Sequence, residues 1–179
     1  MGFVPDAQVA ALAGLEDSST LSDLVNAACG IAEDYTSRHF ALTERVAQKM
    51  IAPGTERLLL GAYPVTQVSS VTLGGVETSG YTLDAECGIV TLDPISAPTL
   101  VKVTWTGGYA ESDMPAPVVQ AVAMIAAALN KTASVGGQLL QSERVGNWSG
   151  TYWTANGATG LDVLSIAAAC LLRPYCARM

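Results

Sequence analysis

The residues able to do chemistry are few and scattered. The chain has one histidine, His39, so neither a histidine-based metal cluster nor a Ser-His-Asp triad can be assembled within it. Its four cysteines are Cys29, Cys87, Cys170 and Cys176, and no C-x-x-C pair occurs. That spacing fits neither a zinc ribbon nor a dense disulfide framework. It predicts mostly buried thiols in a reducing compartment. The acids Asp84, Glu86, Asp93, Glu111 and Asp113 fall in predicted turns without the D-x-D-x-D-G spacing of a calcium loop. There is no G-x-S-x-G, P-loop, H-E-x-x-H or G-x-G-x-x-G. Gly74-Gly75 and Gly107-Gly108 follow predicted strands and read as turns. No catalytic residue, metal site or cofactor is expected, and the chain does not read as an enzyme. The most unusual side chains are Trp148 and Trp153, which lie in a glycine- and serine-rich stretch where a large ring needs a surface to cover. They would either pack back on the parent domain or anchor a partner.

Composition bounds the partners. The chain has 179 residues, half of them hydrophobic and 14% charged, which is the balance of a folded domain and not of a disordered tail. Its net charge is −7. Binding DNA phosphates or an acidic membrane face needs clustered Lys and Arg, so neither is expected. The longest apolar run, Val118 to Leu129, is roughly a dozen residues where a membrane span needs about 20. Met1 to Ala13 lacks a basic start and carries Asp6, so it does not read as a signal peptide.

The elements follow from periodicity. Leu21, Leu24, Val25, Ala28, Ile31, Ala32 and Tyr35 form one apolar stripe on a helix predicted to run from an N-cap at Thr20 to about Arg38. Strands are expected at 44–51, 56–60, 65–73, 81–83 and 89–92. Mixed parity of Val65, Val68, Val71 and Leu73 predicts a bulge in the third. Val101, Val103 and Trp105 alternate with Lys102, Thr104 and Thr106, the pattern of a half-buried strand. Pro115 and Pro117 suit the opening of a second long helix, to about Lys131. This helix is apolar all round, so it must be enclosed or pack on another subunit. Residues 138–155 read as an extended arm. Leu161 to Leu172 mark a last helix, with Arg173 complementing its dipole and Pro174 ending it. The expected fold class is α+β: a bundle of about three to four helices with an antiparallel β region inserted after the first long helix, in one domain spanning 1–179. Within it lie a first helix at 20–40, a β-rich insertion at 41–108, and later helices at 115–131 and 160–173.

Five blocks carry a resemblance. Ala32 to Phe40, closing the first long helix, is similar to an "E-x-Y-T-G-R-x-F" pattern, with Ser37 standing where Gly is frequent. Leu60 to Val71 resembles "L-x-x-x-P-V-x-x-V-x-S-V". Val101 to Tyr109 resembles "V-x-V-T-Y-T-A-G-Y", with Trp105 in place of Tyr. Ser142 to Ser149 resembles "S-E-x-I-G-D-Y-S", and Leu171 to Tyr175 resembles "L-L-x-P-Y-R". In this order the blocks resemble the head–tail connector, or adaptor, family of long-tailed bacteriophages. The extension 1–19 has no counterpart there.

The resemblance implies a structural virion protein, assembled in the host cytoplasm and located at the neck. It implies a homo-oligomeric ring of about twelve subunits between the portal and a stopper or tail-completion protein, with DNA passing through without specific binding. A ring of twelve chains at −7 each would carry on the order of −84, a sign that repels phosphates. Leu172, Arg173, Pro174, Tyr175 and Arg178 would dock on the portal. Glu143, Arg144, Val145, Trp148 and Trp153 would reach a neighbouring subunit or the tail-side partner. The rival readings are another neck component, such as a stopper or tail terminator, or a carbohydrate-binding β module stacking sugars on Trp105, Trp148 and Trp153.

Overall fold

The structure is a computed structural model, and it describes residues 2–16, 20–134, 142–145, 148–151 and 165–177. Among the described residues four α-helices, α1 (Asp6–Ala13), α2 (Leu21–Thr36), α3 (Ala116–Ser134) and α4 (Ile166–Leu172), accompany antiparallel sheets, so the fold is α+β. The strands are β1 (Thr43–Ile51), β2 (Arg57–Leu59), β3 (Val65–Leu73), β4 (Val76–Glu77), β5 (Tyr81–Asp84), β6 (Ile89–Leu92), β7 (Thr99–Gly107), β8 (Ser142–Val145) and β9 (Trp148–Thr151). The chain forms two compact units, one of residues 1–35 and 115–175 and one of residues 36–114 and 176–179.

The first unit is helical. α3 packs against both α1 and α4. Val118, Val119, Ala121, Val122, Ala123, Ile125 and Ala126 are all buried, so the all-round apolar helix is enclosed within the chain. Most of its apolar surface is absorbed by the core, while Met124 and Ala127 to Leu129 stay half-buried. α1 was not expected. Its termini carry a readable signal, Pro5 before the first turn and Gly14 (φ 64°) after the last, where the Gly14 N–H donates to the Ala10 carbonyl. Phe3, Val4 and Val9 are buried, so the first residues are core and not an appendage. α4 opens on Ser165, whose Oγ accepts from the Ala168 N–H at 3.2 Å.

The second unit is a two-sheet β structure. One sheet has the order β1-β7-β3-β4 and the other β2-β6-β5. Ile51, Leu58, Leu60, Val65, Val71, Val90, Leu92, Val101, Val103 and Trp105 form one core fed by both sheets. The alternation read on β7 is realised, with odd positions from 101 to 105 buried. β3 carries the expected irregularity, as register shifts between Val65 and Gln67 and between Val68 and Ser70. Gly74 and Gly75 (φ 59° and 89°) turn β3 into β4, the left-handed pair that a tight hairpin demands. No helix of the described residues is long and apolar enough to cross a membrane.

All four cysteines are thiols, but only Cys29 is buried. Cys87 lies in the β5–β6 turn and Cys170 on an exposed face of α4, which corrects the expectation of mostly buried thiols. Burial pushes the Cys29 thiol above its ordinary value, while hydrogen bonds from the backbone at Phe3 and Val4 act in the opposite sense.

Candidate functional site

Three of the five sequence blocks meet at one place in the second unit, around Arg38. The chain leaves α2 through Ser37, at φ 53°, the one described non-glycine residue with positive φ. A left-handed residue ends the α-helix two residues earlier than periodicity suggested, and it turns Arg38 inward. The backbone is then stitched in place. The His39 N–H donates to the Gly61 carbonyl at 2.7 Å, the Tyr109 N–H to Phe40 at 2.7 Å, and the Leu42 N–H back to Tyr109 at 3.0 Å.

The Arg38 side chain occupies the middle of this stitching and is 4% exposed. Its guanidinium carbon lies 3.6 Å from the Tyr63 ring centre, 5.0 Å from that of Phe40 and 5.6 Å from that of Tyr109. One terminal nitrogen donates to the Tyr63 carbonyl. Nε has no hydrogen-bond partner among the described residues. The ring faces supply the negative potential that stabilises the buried charge, worth about 2 kcal/mol for a desolvated pair.

The glycines of the third block make the approach possible. A Cβ on Gly107 would sit 2.5 Å from the Ala62 carbonyl oxygen. One on Gly108, at φ 110°, would sit 2.5 Å from that of Ala41. The Gly108 N–H donates to the Pro64 carbonyl at 3.0 Å, and the Tyr63–Pro64 peptide is cis. Trp105 closes the cluster from below, its indole N–H donating to the Ala62 carbonyl at 3.1 Å. At 3% exposure its ring cannot stack on a sugar, which removes Trp105 from the carbohydrate-binding reading.

The Arg38 cluster brings together no nucleophile and base, and no acid pair. Its aromatic rings and carbonyls hold three chain segments in one geometry. Among the described residues, no group of His, Cys, Asp and Glu could hold a metal ion. The turn acids Asp84 and Asp93 are used locally. Asp84 Oδ1 accepts from the Cys87 N–H at 3.1 Å, and a Cβ on Gly80 would collide with the Asp93 carboxylate. Sequence reasoning placed Arg38, Tyr63 and Tyr109 in three separate blocks without joining them. The signal was an aromatic residue in each block flanking an arginine, a combination legible only once the blocks are folded together.

The residues expected to bind partners lie elsewhere. Leu172 is fully buried at the end of α4 and serves the helical core. Arg173 and Pro174 are exposed and Tyr175 half-buried, in a single 3-10 turn that continues α4. Arg178 lies outside the described residues. Two residues past the turn, the Ala177 N–H donates to the Thr36 carbonyl at 2.8 Å, tying the tail to the end of α2. Glu143, Arg144 and Val145 lie on β8 and Trp148 on β9, which pair antiparallel as a separate two-stranded hairpin. Trp153 lies outside the described residues.

Comparison with known proteins agrees with this structural character. Residues 7–137 match the model of the head completion protein family. No curated protein gives a significant match. Among solved structures, a chain from the neck of an empty GTA particle computed with C6 symmetry superposes with a TM-score of 0.60 at 18% identity, over 98% of this chain and 90% of that one. A chain from the neck of a native GTA particle computed with C12 symmetry gives 0.59 at 16%, over 98% and 92%. A chain from the virion of a native gene transfer agent particle gives 0.56 at 16%, over 98% and 93%. At these identities the likeness speaks for the fold, whereas the family match spans most of the chain. This chain belongs to the head completion protein family.

Proposed function

We propose that the protein is a non-enzymatic component of the neck of a phage-like particle, where copies form a ring between the portal and the next neck or tail protein. The observation that carries this reading is the family match over residues 7–137. The similarity over 98% of the chain to chains from necks solved with sixfold and twelvefold symmetry supports the ring. DNA passes the channel without specific binding, in keeping with a net charge of −7 per chain.

Two segments would make the outward contacts. The turn Arg173–Tyr175, with Arg178 beyond it, docks on the portal, and the hairpin around Glu143, Arg144, Val145 and Trp148, together with Trp153, reaches a neighbour. Deleting the C-terminus would be a poor test, because it also removes the bond from Ala177 to Thr36. Arg173→Glu combined with Tyr175→Ala spares that backbone bond. Portal attachment in a pull-down should fall at least tenfold while the thermal transition stays in place. Unchanged attachment would overturn the docking assignment.

A further inference from the structure

The four-stranded sheet has two unequal edges. On the β3 side the strand is interrupted by two register shifts against β7 and is partly covered by the short β4. On the other side β1 runs nine residues in unbroken register with β7, from Thr43↔Gly107 to Ile51↔Thr99, and its far edge pairs with no described strand. It has no proline and no bulge, and it exposes Val46 and Met50 (56% and 60%). At the same edge Arg45, level with Trp105, has a buried Nε without a hydrogen-bond partner. Such an edge invites a strand from outside.

Charge says which strand. If β1 paired antiparallel with its own copy about Ala47, Arg45 would face Lys49 twice, and like charges directly opposite are destabilising. That contact would also be isologous and close at a dimer, whereas a ring needs two different surfaces. The second surface is at hand in the β8–β9 hairpin, whose strands pair with one another and with no other described strand. A two-stranded hairpin alone is marginal in water. It is joined to α3 by residues 135–141, a length of chain that spans at most about 25 Å.

We propose that β1 accepts the open edge of β8 from the next subunit, antiparallel, in the register Glu143↔Arg45 and Arg144↔Glu44. This register satisfies both opposite-charge pairs at once and places Val145 beside Thr43 and Ser142 beside Val46. Glu44 accepts a long hydrogen bond, 3.4 Å, from the Ser69 hydroxyl. Repeated around an axis, the hairpin-to-edge contact is heterologous and closes into a ring. The inference rests on the ring reading and adds the contact that builds it.

The test uses the full chain in assembled particles, with Cys87 and Cys170 changed to Ser. Thr43→Cys with Val145→Cys should give, on mild oxidation, a ladder of covalent oligomers extending beyond the dimer, while Gln48→Cys with Val145→Cys gives at least tenfold less. Arg45→Glu and Glu143→Arg should each cut the yield of tailed particles about tenfold, and the two together should restore it. No ladder, a ladder ending at dimers, a crosslink within one chain, or no restoration by the double swap would each overturn the pairing. A labelled chain found in the neck with no ladder would refute the pairing and leave the ring reading standing. A chain absent from the neck would refute the ring reading itself.

Discussion

Arg38 lies with its guanidinium carbon 3.6 Å from the centre of the Tyr63 ring, and no described carboxylate pairs with it. The buried cation is held by ring faces and a carbonyl, and it fastens the segment that follows α2 to the turn before β3. Arg38→Ala should cost about 3 kcal/mol, combining lost packing, cation–π attraction and hydrogen bonding. In a double-mutant cycle with Tyr63→Leu, chemical denaturation should return a coupling of about 1–2 kcal/mol. Strict additivity would mean that the ring does not hold the charge.

Ser37 occupies a left-handed position at φ 53°. Its Cβ is a steric cost that glycine does not carry. Ser37→Gly should therefore stabilise the protein by about 0.5–1 kcal/mol, visible as a higher melting temperature, and Ser37→Val should lower it.

Gly108 and Gly54 separate backbone strain from crowding. Both have positive φ, 110° and 81°, but nothing lies within 4 Å of a Cβ built on Gly54. Gly54→Ala should cost about 1 kcal/mol. Gly108→Ala should cost several times more, or prevent folding, because its Cβ would enter the carbonyls of Phe40 and Ala41. Equal costs by urea titration would contradict the close packing of these segments.

Cys29 should resist alkylation while Cys87 and Cys170 react. Burial raises its thiol value above the ordinary 9.0. The sign follows: the folded state holds the proton more tightly than the unfolded one, so the contribution is full below about pH 9 and is lost as pH rises through the folded value. Mass mapping after iodoacetamide at pH 8 should find Cys87 and Cys170 modified, and Cys29 only after unfolding. Rapid labelling of native Cys29 would contradict its burial.

Much of the fold was legible because its elements alternate or repeat cleanly. Val101, Val103 and Trp105 announced β7, and Leu21 to Tyr35 announced α2, since both depend on local periodicity. α1 is hard to read from sequence because its alanine-rich turns carry little amphipathic contrast, and Pro5 and Gly14 are its main marks. The Arg38 cluster could not be read in advance. Its members are separated by up to about seventy residues and are joined by backbone hydrogen bonds that leave no local pattern. The apolar character of α3 points equally to a core and to a subunit contact, and the burial of Val118, Val119, Ala121, Val122, Ala123, Ile125 and Ala126 places most of it in the core. Leu172, grouped by sequence with the docking residues, proved to be core for the same reason.

Whether copies of the chain build a ring in the neck is open to direct imaging. Cryo-electron microscopy of purified particles carrying a label on this chain, reconstructed without imposed symmetry at the neck, tests it most directly. Labelled density is expected in a closed ring directly beneath the portal, around an open channel. Label on the capsid shell or at the tail tip, or a single copy per particle, would contradict it.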